Sequence, residues 1–167
     1  GRLAPTWDEG VPLGNGKLGA LIWSREGVLR VSLDRADLWD LRPVTEFSGP
    51  EFSFKWVREH VLKNDYGPVH RMGDVPYDRD PAPTKIPAGA LEFDVSKLGE
   101  VGSVRLSLDR AVCEVRWKSG ARLETFVDAS EEAGWLRFEG PGVEGLTPRL
   151  VPPDYAGKAG RGAGNDV

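Results

Sequence analysis

The sequence is poor in cysteine, histidine, basic charge and long apolar runs. Its one cysteine, Cys113, can neither close a disulfide within the chain nor contribute to a multi-cysteine zinc site. Only two histidines occur, His60 and His70, with no neighbouring cysteine and no H-E-x-x-H spacing, so no metal centre is expected. Lys and Arg number 22 against 26 Asp and Glu, for a formal charge of −4 and a pI near 5.3. A protein that binds nucleic acid through its charge is basic, so no nucleic-acid partner is expected. The longest apolar runs, such as 19–23, fall far short of the ~18 residues that cross a bilayer, so no membrane span is expected either. A charged segment followed by an apolar stretch, the mark of a signal peptide, is missing from the start. No G-x-S-x-G occurs, and Cys113 falls inside a strand pattern where it reads as a small buried hydrophobe, so no nucleophile is expected.

What is present suits a β-rich domain. With 40% hydrophobic residues the 167-residue chain can build one core, and Gly 21 and Pro 13 supply many turns. Residues 19–23 and 28–33 read as strands joined by the polar, Gly-containing 24–27, a hairpin connection. In the second run Leu29, Val31 and Leu33 share one face while Val28, Arg30 and Ser32 share the other, the pattern of a half-buried strand. Runs at 104–108, 112–117, 123–127 and 135–138 follow, with Cys113, Val115 and Trp117 predicted inward and Lys118-Ser119-Gly120 as a turn. Short strands in such close succession leave no room for crossover helices. The spacing therefore favours an all-β, mainly antiparallel sandwich with one short helix over a parallel sheet.

That helix is placed after Pro50 and Glu51, where Phe54, Val57, Val61 and Leu62 recur at helical spacing, and Gly67-Pro68 is expected to end it. Residues 66–87, with five prolines, read as a long irregular loop. The expected organisation is a sandwich over 1–150, a helix and Pro-rich insertion around 50–87, and a flexible Gly-rich tail over 151–167 that leads to a further part.

Three patterns invite chemistry. Gly14-Asn15-Gly16-Lys17-Leu18-Gly19 is a literal G-x-G-x-x-G with Asp40 about 20 residues on. A dinucleotide site needs a helix after it, and 20–23 reads as strand, so a tight backbone turn is expected and no cofactor. Asp34, Asp37 and Asp40 lie three apart beside Trp39. They suit either acid–base or cation chemistry, or a turn that Asp34 caps while Trp39 packs. Asp74, Asp78 and Asp80 read as solvated loop charges, and Trp56 and His60 as i, i+4 neighbours that pack. The six Trp offer stacking faces for sugars, with Trp7, Trp39 and Trp56 near turns or on a helix surface.

The run 7–20, Trp-Asp-Glu-Gly-Val-Pro-Leu-Gly-Asn-Gly-Lys-Leu-Gly-Ala, resembles the opening of glycoside hydrolase family 95, the α-L-fucosidases and their relatives. Those enzymes open with Trp, an acidic residue, then Pro-aliphatic-Gly-Asn-Gly-basic-Leu-Gly-Ala. Leu33-Asp34-Arg35-Ala36-Asp37-Leu38-Trp39, Leu106-Ser107-Leu108-Asp109-Arg110-Ala111, Gly120 and Thr125-Phe126-Val127 are similar to later blocks of the family. The resemblance implies an N-terminal all-β domain, a large two-sheet β-sandwich of supersandwich type, that supports a C-terminal helical-barrel catalytic domain of the same protein, itself absent from this chain. It also implies contact with glycans and a periplasmic or extracellular location. No catalytic residue is carried over. Asn15, Asp37 and Trp39 are the candidates to face the barrel or a carbohydrate. Two readings stay open: a sibling family acting on another glycoside, and a stand-alone carbohydrate-binding or interaction module.

Overall fold

A computed structural model describes residues 1–25, 27–79 and 83–153. They fall into two compact units, Gly1–Leu38 with Pro87–Pro153, and Trp39–Ile86. The strands in chain order are β1 (Val11–Gly14), β2 (Leu18–Arg25), β3 (Val28–Arg35), β4 (Trp39–Asp40), β5 (Thr84–Lys85), β6 (Gly89–Phe93), β7 (Val101–Ser107), β8 (Val112–Trp117), β9 (Arg122–Val127), β10 (Gly134–Glu139) and β11 (Arg149–Val151). The helices are α1 (Phe54–Leu62) and α2 (Gly67–Arg79).

The larger unit is a sandwich of two antiparallel sheets, one ordered β1-β2-β3-β6-β11 and the other β10-β9-β8-β7. Alternation decides which side chains meet between them. Leu13, Ile22, Leu29, Val31 and Phe93 come from the five-stranded sheet. Cys113, Val115, Trp117, Leu123 and Val127 come from the four-stranded one, and Leu98 fills between strands. Phe93 and Phe138 join the two layers with ring centroids 5.0 Å apart. Each fully buried aliphatic side chain here contributes about 1.5–3 kcal/mol. The inward set of β8 is the predicted one, and burial pushes the Cys113 thiol up to about 11, which keeps it protonated.

The predicted half-buried character of β3 does not hold. Arg30 and Ser32, on the face turned away from the core, are 2% and 8% exposed. Polar residues tolerate this when partnered, and here Ser32 Oγ accepts from Trp23 Nε1 at 2.9 Å while Arg30 Nη1 donates to Glu92 Oε1 at 2.5 Å. The Arg30 guanidinium also lies 5.9 Å from the Trp23 ring centroid.

In the smaller unit the single-helix expectation gives way to two helices. Ser53 Oγ caps α1 by accepting from Trp56 N–H at 3.3 Å, so the helix opens at Phe54, beyond Pro50 and Glu51. Gly67-Pro68 begins α2 instead of closing α1. A proline in the first turn forfeits only an N–H that lacks an intrahelical acceptor anyway. Of the residues predicted to be an irregular loop, Gly67–Arg79 are thus helical, with Pro76 tolerated in the last turn, and Asp80 lies outside the described residues. β4 and β5 form a two-stranded ribbon, Trp39 opposite Lys85. Of the predicted tail, residues 154–167 lie outside the described residues, while Val151 closes β11. No helix among the described residues is long and apolar enough to cross a membrane.

Candidate functional site

The β1–β2 turn is organised by one side chain. Gly14 and Gly19 pair across the hairpin, and Asn15 N–H donates to Leu18 O at 3.1 Å. Asn15 Oδ1 accepts from the N–H groups of Lys17 at 2.9 Å and Leu18 at 2.8 Å, a side-chain imitation of a backbone turn. Gly16 at the tip has φ +88°, a conformation that costs glycine nothing. A strand follows, so the G-x-G-x-x-G match offers no helix N-terminus to a pyrophosphate.

The same amide reaches the opposite sheet. Asn15 Nδ2 donates to Asp128 O at 2.8 Å and to Glu131 O at 3.0 Å, both in the β9–β10 connection. That connection winds around Asp128, whose Oδ1 accepts from Ser130 N–H at 2.9 Å and Glu131 N–H at 3.0 Å; these two bonds hold its carboxyl below the usual range. Beside it, Glu132 is paired with Lys17 Nζ and accepts from Arg35 Nη1 at 2.6 Å. Arg35 in turn grips Asp37 through Nε to Oδ1 at 3.0 Å and Nη2 to Oδ2 at 2.8 Å. Hydrogen bonding from Arg35 lowers Asp37 to about 2, and Lys17 and then Arg35 lower Glu132. The carboxylates raise Arg35 correspondingly.

The structure therefore draws Asn15 and Asp37 into one clasp between the two sheets, whereas Trp39 lies half-exposed on β4 in the unit Trp39–Ile86. Chemically, the clasp holds its acids ionised. A glycosidase general acid requires the reverse, a carboxyl kept protonated near neutral pH. The other acids of the aspartate series are likewise engaged locally. Asp34 Oδ1 accepts from Arg35 N–H at 2.8 Å, and Asp40 Oδ2 lies 2.9 Å from Arg42 Nε. Among the described residues no group of three or more His, Cys, Asp and Glu is placed to hold a metal ion. His60 packs on Trp56 with centroids 4.2 Å apart, as their i, i+4 spacing predicts, and pairs with Asp65 at 3.1 Å.

Sequence reasoning does not single out Lys17, Arg35, Asp128 or Glu132, because the contacts that join them across the sheets, Lys17 and Arg35 with Glu132 and Asn15 with the Asp128 carbonyl, span about a hundred residues. It also passes over Trp135, which is 57% exposed on the outer face of the four-stranded sheet and pairs across strands with Phe126. There a signal exists: Trp135 alternates with Leu136 and Phe138 and shares its face with Arg137.

Compared with known protein families, the chain matches the family described as glycosyl hydrolase family 65, N-terminal domain, over residues 2–151. The match runs from the N-terminal segment to the last residue of β11 and so takes in both sheets. No curated protein matches the chain.

Proposed function

We propose a role that starts from one premise: the chain belongs to the glycosyl hydrolase family 65 N-terminal domain family, and it is accordingly an N-terminal β-sandwich module of a glycoside hydrolase. The role is non-catalytic. It supports a helical-barrel catalytic domain of the same protein, with the β1–β2 turn and the Asp37 side of the clasp forming the edge that faces it. All four hydrogen bonds of the Asn15 side chain are spent within the sandwich, so its part is to fix the shape of that edge. The observation that carries this reading is the family match across the whole sandwich, and the ionised, arginine-bound acids of the clasp agree with it. The resemblance of 7–20 to family 95 favours an α-L-fucoside or a related glycoside as the substrate of the parent enzyme, with polysaccharide breakdown as the setting.

The test is activity against a panel of aryl glycosides that includes α-L-fucoside. The 167-residue chain is expected to be inert, and the product of the complete coding region is expected to cleave at least one of them. Turnover by the short chain, or a coding region with no helical segment after it, would overturn the proposal. A second reading, a carbohydrate-binding module, is favoured by the exposed Trp135 and Phe126 pair, whose rings offer an apolar surface to the C–H face of a pyranose. Saturable binding of neutral oligosaccharides, abolished by Trp135→Ala, would establish it; calorimetric silence would dismiss it.

A further inference from the structure

The outer face of the five-stranded sheet carries a row of side chains that the hydrolase reading does not use. Trp23 on β2, Arg30 on β3, Glu92 on β6 and Arg149 on β11 are successive cross-strand partners, all on the side opposite Leu29, Val31 and Phe93. Arg25, Val28 and Val151 flank the row, and together with Arg30, Glu92 and Arg149 they line a cleft of about 230 Å³. At the ~30 Å³ that a water occupies in the liquid, this is room for several waters or one small solute.

Two arginines of the cleft converge on one acid. Leaving Arg25 aside, Arg30 and Arg149 share a single carboxylate: Arg30 Nη1 takes Glu92 Oε1 at 2.5 Å, and Arg149 Nη2 takes Oε2. Burial pushes the Glu92 carboxyl up, but hydrogen bonds from Arg30 and Arg149 outweigh it, so Glu92 is lowered overall and stays ionised. Two cations thus face one anion. Arg30 is 2% exposed, and its Nε is buried with no acceptor. A buried guanidinium N–H without an acceptor is costly, because the donor has lost water and gained nothing. Among the described residues lining the cleft, Glu92 is the one carboxylate, and Arg30 and Arg149 leave room for a further anionic acceptor.

We propose that this cleft is a binding site for an oxyanion carried by a small solute, a carboxylate, sulfate or phosphate group, held by Arg30 and Arg149. Planar guanidinium donors suit such groups, which accept two parallel hydrogen bonds. Val28 and Val151 give the same cleft apolar contact for a carbon skeleton attached to the anion. The site lies in the sandwich alone and stands whether or not the parent enzyme acts on fucosides.

The experiment is calorimetric titration of the 167-residue chain with sodium phosphate, sodium sulfate and sodium glucuronate, each against sodium chloride at matched ionic strength. Saturable binding of at least one of them is expected. Preference for glucuronate marks an acidic sugar as the source, and preference for phosphate or sulfate marks a free inorganic ion. Arg149 is largely exposed on a three-residue edge strand, so Arg149→Gln is expected to fold and to weaken binding about tenfold, the value of one charged hydrogen bond. Glu92→Gln, if it folds, should tighten binding by removing the competing carboxylate. Heats no different from chloride, or equal affinity in Arg149→Gln and the unaltered chain, would overturn the proposal.

Discussion

Asn15 shows how much of this sandwich's edge depends on one amide. Its two donors cross to the carbonyls of Asp128 and Glu131 and its oxygen takes the N–H groups of Lys17 and Leu18, so every polar position is filled. No other residue type offers two donors and a double acceptor at that reach. Alanine at this position would leave two carbonyls and two N–H groups to find water, and being half-exposed they would partly succeed. Asn15→Ala is therefore expected to cost about 1–3 kcal/mol in urea unfolding, several neutral hydrogen bonds at roughly 1 kcal/mol each less solvent recovery. Asn15→Asp keeps the acceptor half of the role but sets a carboxylate against the carbonyls of Asp128 and Glu131, so it should rescue little. Unchanged unfolding midpoints for both variants would refute the clasp.

At the scale of elements, legibility follows period and partner distance. Strands β2, β3, β8, β9 and β10 were readable because alternation of apolar and polar residues is local. The turns at Gly27 and Gly120 were readable because glycine marks them, at φ +85° and +93°. β1 was hidden by Pro12, which an edge strand accepts because it has hydrogen bonds to lose on one side only. β6 and β11 were hidden by brevity, and β6 owes its place to pairing with β3 across the whole Trp39–Ile86 segment. The clasp was invisible because Asn15 meets Asp128, and Lys17 meets Glu132, only once both sheets are formed. Glycines separate along this line too. At Gly140, φ is +98° and an added Cβ would lie 2.8 Å from Gly120 O, so Gly140→Ala should cost about 1–3 kcal/mol through strain and displaced backbone. At Gly19 the nearest contact for a Cβ is Asp34 Cβ at 3.7 Å, ordinary van der Waals distance. Despite closing the G-x-G-x-x-G pattern, Gly19→Ala should change stability by no more than about 0.5 kcal/mol. Paired thermal melts that rank the two variants the other way would show that the motif glycines carry a constraint this fold does not.

At the scale of the whole molecule, acids and arginines are interlaced over both sheets. The clasp holds Asp37, Asp128 and Glu132. The outer face of the four-stranded sheet pairs Glu114 with Arg116 and Glu139 with Arg122. Glu92 lies between Arg30 and Arg149. Each of these carboxyls is lower in the folded chain than its ordinary value, Asp37 falling from 3.8 to about 2. A folded-state pKa below the unfolded one means that the folded chain binds fewer protons. The stabilisation is therefore complete above the unfolded values and is lost as pH falls through the folded ones. Urea midpoints are accordingly expected to hold steady down to about pH 5 and then to fall continuously towards about pH 2, the carboxylate window. Because most of these pairs are solvent-exposed, added salt should flatten the fall, as screening weakens them in the native state. Asp37→Asn should remove part of the slope at the low end of that window and leave the rest. Midpoints that stay level between about pH 5 and 3, in low salt, would mean that the arginine pairs form without biasing the folding equilibrium.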